Sequence, residues 1–75
     1  MGKVVDSERR FGVIAVKNGV ITAEQLIEAI KIQVMEDLEG KGHRSIGPIL
    51  HDMGLMTIQQ VNNVHRLLRK PLYEL

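Results

Sequence analysis

The sequence repeats itself at an offset of 35 residues, and that repeat limits the fold more than any other feature. Gly12 maps on Gly47, Gly19 on Gly54, Thr22 on Thr57 and Gln25 on Gln60. Apolar positions follow in step: Phe11 with Ile46, Ile14 with Ile49, Ala15 with Leu50, Ile21 with Met56, Leu26 with Val61. No gap interrupts the match. The shared residues are the ones that helix ends require, so the chain repeats a helix–turn–helix unit.

Both copies carry the same punctuation. Gly19 and Gly54 follow short apolar-periodic runs, where a residue free to take positive φ closes a helix. Three residues later Thr22 and Thr57 stand at N-cap positions. Gln25 and Gln60 at N3 complete a capping box. Ile21 with Leu26, and Met56 with Val61, are spaced as hydrophobic staples across the helix starts. Each unit is thus a short helix, a tight turn and a second helix.

The predicted helices are 7–18, 23–38, 46–53 and 58–69. Asp6 or Ser7 is the expected cap of the first, and Ser45 of the third, whose Pro48 falls in the tolerated first turn. The second helix carries a stripe at Leu26, Ile27, Ile30, Val34 and Leu38, expected to face the core. The fourth carries Ile58, Val61, Val64 and Leu68, and Pro71 stops it. Residues 1–75 therefore read as one all-α, compact four-helix domain: repeat one at about 7–38, a loop at 39–45, repeat two at about 46–69 and a tail at 70–75. Val13, Val16, Ile32, Met35 and Leu67 lie off the main stripes, available to the core or to a homodimer surface.

Composition excludes several classes. Without cysteine there is neither a disulfide framework nor a thiolate metal site. No apolar run reaches the roughly 18 residues of a membrane span, and the first residues lack a signal peptide's apolar core. A cytoplasmic protein is the expectation. Phe11 and Tyr73 are the only aromatics, so the core must be aliphatic. No nucleophile–base–oxyanion constellation can be assembled from the sequence and no Walker A loop occurs, so neither an enzyme nor a cofactor is expected.

The run Arg10-Phe11-Gly12-Val13-Ile14-Ala15-Val16-Lys17-Asn18-Gly19-Val20-Ile21, followed by Leu26, Ile30 and Gln33, resembles the motif RLGxxLVxxGxIxxxxLxxxLxxQ. That motif belongs to the amino-terminal domain of type II secretion and type IV pilus assembly ATPases, including the MshEN class. MshEN domains bind cyclic di-GMP through tandem copies of it. The resemblance implies a two-repeat helical module and names Arg10, Gly12, Gly19 and Gln33 as ligand-binding positions. The second copy departs: Ser45 stands at the arginine position, His51 at a valine, His65 at a leucine and Leu68 at the glutamine.

Those departures rank a protein–protein interaction or regulatory module first, a cyclic di-GMP sensor second and a helix–turn–helix DNA binder third. For the first reading Gly12 and Gly47 only let helices approach closely. A dinucleotide would instead use Arg10 and backbone donors near Gly12 for its phosphates. For DNA, Lys41, His43, Arg44, Arg66, Arg69 and Lys70 form a basic edge, and Gln59, Gln60, Asn62 and Asn63 could read bases. Against it, the helix from Ala23 carries Glu24, Glu28, Glu36 and Asp37. His43, His51 and His65, with Glu36 and Asp52, have no metal-ligand spacing. His65 is expected to pack partly buried. Glu36, Asp37 and Glu39 read as a solvated acidic helix end.

Overall fold

The computed structural model describes residues 6–69. They form four helices and no strand: α1 (Asp6–Lys17), α2 (Ala23–Leu38), α3 (Ile46–Asp52) and α4 (Ile58–Arg69). α1 begins at Asp6, so its cap position lies outside the described residues, as do Pro71 and the tail.

The turns repeat in detail. Gly19 and Gly54 sit at φ 75° and 78°, the left-handed region in which a side chain would be strained. Around Gly19, Val20 N–H donates to Ala15 C=O at 3.0 Å and Gly19 N–H to Val16 C=O at 2.9 Å. Leu55 to Leu50 and Gly54 to His51 repeat both bonds at 3.0 and 2.9 Å. This is the Schellman arrangement, which satisfies carbonyls that a helix end leaves without partners. Both capping boxes form: Gln25 N–H donates to Thr22 Oγ1 (3.1 Å) and Thr22 N–H to Gln25 Oε1 (2.9 Å), with Gln60 and Thr57 doing the same at 3.0 and 2.9 Å. Ser45 is the N-cap of α3 but makes no side-chain cap bond. The N3 residue it would serve is Pro48, which has no N–H to give.

α1 packs on α2 and α4, α3 packs on α2 and α4, and α1 touches α3. Among the described residues α2 and α4 do not meet. The repeats are thus related by a pseudo-two-fold axis, with α1 and α3 central and α2 and α4 on opposite flanks. Repeat-related Glu8 and His43 touch each other, as residues beside such an axis must. Glycine sets the spacing within each repeat. A Cβ on Gly12 would lie 2.6 Å from Leu26 Cδ1, and one on Gly47 would lie 3.0 Å from Val61 Cγ1. Leu26 and Val61 are themselves a repeat-related pair, so one device closes both helix pairs.

The core holds Phe11, Ala15, Ile21, Ala29, Ile46, Ile49, Leu50, Met56, Val61 and Val64, with no buried polar residue among the described ones. The inward side of α2 is not the expected stripe. Ala29 is buried and Leu26 and Ile32 pack against the core, whereas Ile27, Ile30, Val34 and Leu38 face solvent. Burial follows the close approach at Gly12, which draws Leu26 and Ala29 inward and leaves the richer apolar side outside. Of the off-stripe residues, Val16 and Ile32 join the core margin, and Val13, Met35 and Leu67 are exposed. In α4, Val61 and Val64 are buried and Leu68 packs against them, but Ile58 is exposed.

Candidate functional site

The outer side of α2 is the most distinctive surface of the molecule. Ile27, Ile30, Val34 and Leu38 stay 56%, 41%, 48% and 77% exposed, spaced three and four apart so that they form one continuous stripe. Beside it a groove of about 190 Å³ opens between α1 and α2, lined by Val13, Leu26, Ile30, Val34 and Ile46. Glu8, Arg9 and Gln33 form its polar rim. Contiguous exposed apolar surface of this kind marks interaction sites in soluble domains.

The pseudo-two-fold axis supplies a control. In α4 the positions related to Ile27, Ile30 and Val34 are Asn62, His65 and Arg69. A groove of about 60 Å³ beside α4 is lined by Glu8, Phe11, Ser45, Ile46 and His65, and shares with the first the repeat-related positions Ile30/His65 and Ile46/Phe11. There the Phe11 and His65 rings stack at 5.0 Å between centroids, tilted by 53°. His65 was expected to be partly buried, and it is exposed: its position is the outward one that Ile30 takes in α2. The same backbone frame therefore carries a larger apolar groove on one flank and a smaller one with the Phe11–His65 pair on the other.

The loop between the repeats is pinned by charge. Arg44 grips Glu36 with two parallel bonds, Nε to Oε1 at 3.0 Å and Nη2 to Oε2 at 2.7 Å, and Nη1 donates to Asp52. The carbonyl of Arg44 accepts from Gln33 Nε2 at 2.9 Å, and the same amide donates to Glu8. His43 sits between Glu8 (Nε2 to Oε2, 2.9 Å) and Asp37 (Nδ1 to either carboxylate oxygen, 3.2 Å). Hydrogen bonds to Glu8 and then Asp37 raise the His43 pKa above the usual imidazole value. The bidentate Arg44 contact holds Glu36 below the usual carboxylate value, and the guanidinium is kept more firmly protonated in return. Glu36 and Asp37 are therefore partnered rather than merely solvated. The supposed basic edge is also neutralised in part: Lys41 reaches Glu39 at 3.3 Å, and His43 and Arg44 are engaged by acids. Lys70 lies outside the described residues. Spacing gave no sign of this clasp, because its partners come from α1, α2, α3 and the loop.

The four positions named by the family motif do not converge. Gly12 is filled by Leu26, and Gly19 lies at the far end of α1 from Arg10. The Gln33 amide is committed to Glu8 and to Arg44 C=O. Arg10 lines a different groove, on α1, with Arg9, Val13, Ile14 and Lys17. Among the described residues no group of three His, Asp or Glu side chains is arranged to hold a metal ion. No helix there is long and apolar enough to cross a membrane. No family model matches the chain, and neither a curated protein nor a solved structure is found to resemble it.

Proposed function

We propose that this chain is a non-catalytic protein–protein interaction or regulatory module, similar in plan to the amino-terminal domains of secretion and pilus-assembly ATPases, and that it docks through the outer side of α2. One observation carries the reading. Isoleucine, isoleucine and valine stand outward on α2 where the equivalent frame in α4 takes Asn62, His65 and Arg69. Folding does not need apolar residues there, since α4 does without them. Surplus apolar surface on a ready-made helix face is what helix-in-groove and helix–helix recognition use.

A cyclic di-GMP sensor is the second reading, favoured by the α1 groove in which Arg9, Arg10 and Lys17 surround Val13 and Ile14. Three cations beside apolar side chains suit a phosphate-bearing purine ligand. The DNA reading is weaker. Gln60 is engaged in its own capping box, Asn63 accepts from Arg66, and His43 and Arg44 are held by carboxylates.

Amide chemical shifts recorded during titration with cyclic di-GMP and with duplex DNA test the ranking. The interaction module predicts saturation with neither. Micromolar saturation at Arg10, Gly12 and Gly19 would make this a nucleotide sensor. Saturation along Gln59–Arg69 with DNA would revive the helix–turn–helix alternative.

A further inference from the structure

We infer that the partner seated on α2 is a second copy of this chain, joined as an antiparallel α2–α2′ pair whose two-fold axis passes beside Ile30. The inference rests on the proposed interaction role and names its partner. A two-fold interface must be self-complementary, each residue i meeting j while j meets i. The stripe meets that demand in one register. With Ile30 opposite Ile30 of the second copy, Ile27 comes within one residue, about 1.5 Å, of the level of Val34, and Ala23 within one residue of the level of Leu38. The most exposed side chain of the stripe, Leu38 at 77%, then comes close to the level of the small Ala23 at the start of the partner's α2.

Charge agrees with the same register. In an antiparallel helix pair each edge of a stripe faces the same edge of its partner. Glu28 and Lys31 share one edge, and within one chain they lie 3.9 Å apart across a single turn. In the pair, Glu28 of each copy comes beside Lys31 of the other, giving two equivalent contacts of opposite sign. A parallel pair would instead face each edge with the opposite edge of its partner, so Glu28 and Lys31 of different copies would not meet.

The area is also in range. Val13, Ile27, Ile30, Val34, Met35 and Leu38 together expose on the order of 600 Å² per copy, against about 800 Å² per partner for a standard interface. Exposed Arg9, beside the groove, adds to this area. Because each copy uses the same surface in a two-fold contact, association through α2 closes at two copies.

The full chain, followed by sedimentation equilibrium from micromolar to millimolar concentration, is expected to form a dimer. Ile30→Glu should abolish it while far-ultraviolet circular dichroism keeps its helical signal. Glu28→Lys should weaken it several-fold, and adding Lys31→Glu should restore it. Because the chain has no cysteine, a single introduced one reads the register. Ile30→Cys should oxidise to a covalent dimer, whereas Leu38→Cys should not, its two copies lying about 24 Å apart along the axis. A chain that stays monomeric at millimolar concentration overturns the second copy as partner, as does a dimer indifferent to Ile30→Glu. Efficient cross-linking at Leu38→Cys without cross-linking at Ile30→Cys overturns the antiparallel arrangement. The interaction reading fails by a separate result, namely unfolding of the monomer when the outer side of α2 is made polar.

Discussion

At their turns the two repeats agree to within 0.1 Å in every equivalent hydrogen bond, from the Schellman pair at Gly19 and Gly54 to the capping boxes at Thr22 and Thr57. On their outer helices they part company. α2 shows Ile27, Ile30 and Val34 to solvent, and α4 has Asn62, His65 and Arg69 at the same places. The frame is held constant while the surface changes, so the molecule contains its own comparison of what the shared turns require with what each outer helix adds. Turn chemistry is shared because any helix–turn–helix unit must satisfy its helix ends. The outward apolar residues at Ile27, Ile30 and Val34 are unshared, as expected if the fold does not depend on them.

The sharpest way to break the equivalence is inside the core. Ile49 is fully buried and its counterpart Ile14 is only half-buried. Ile49→Ala should cost about 2–5 kcal/mol in urea unfolding, and Ile14→Ala clearly less. Equal losses would mean that the two central helices are buried alike. A step down in size, Gly47→Ala should cost about 1–3 kcal/mol, because its new methyl would press on Val61 and the Phe11 ring. Gly12→Ala presses on the flexible end of half-buried Leu26, and the better helix propensity of alanine offsets about 1 kcal/mol of any strain. A Gly12 variant as damaged as the Gly47 one would show that Leu26 cannot turn aside.

Where the repeats match, variants should match too. Thr22→Ala and Thr57→Ala should each lose about 0.5–2 kcal/mol, and the two losses should agree within about 0.5 kcal/mol. A wide gap between them would deny the repeat at the point where its geometry is most alike. The smallest expected effect belongs to the clasp, which joins the repeats but has only one copy. The folded state binds the His43 proton more tightly than the unfolded chain, because Glu8 and Asp37 flank it. Its contribution is therefore full below about pH 6.5 and is lost as pH rises through the higher folded value. His43→Gln should flatten the slope of stability against pH on that side. His43 is half exposed to solvent, so the slope should be shallow. An unchanged slope in the variant would assign it to other groups.

Local chemistry explains why so much of the frame was legible in the sequence. A cap, an N3 glutamine and a positive-φ glycine act within six residues of one another, so their spacing is their mechanism. Which side of α2 faces inward depends on a non-local fact, the approach of α1 at Gly12. Gln25, Gln33 and Glu36 stand on or beside the inward side and make it read as polar, although Gln25 completes a cap and the other two hold Arg44. Periodicity detects the most apolar side of a helix, and on α2 that is the side left over. The clasp was hidden for a related reason: Glu8 and His43 are 35 residues apart and carry no spacing signal.

One exchange tests most directly whether the outer side of α2 serves binding rather than folding. The triple variant Ile27→Asn, Ile30→His, Val34→Arg gives α2 the residues that α4 carries at the matching positions. Its urea unfolding free energy should be measured at dilutions where the parent chain is monomeric, so that any loss belongs to the fold alone. The predicted result is a stability within about 1 kcal/mol of the parent, as expected for surface positions. A loss of about 3 kcal/mol or more would place these side chains among the determinants of the fold and contradict their assignment to a partner.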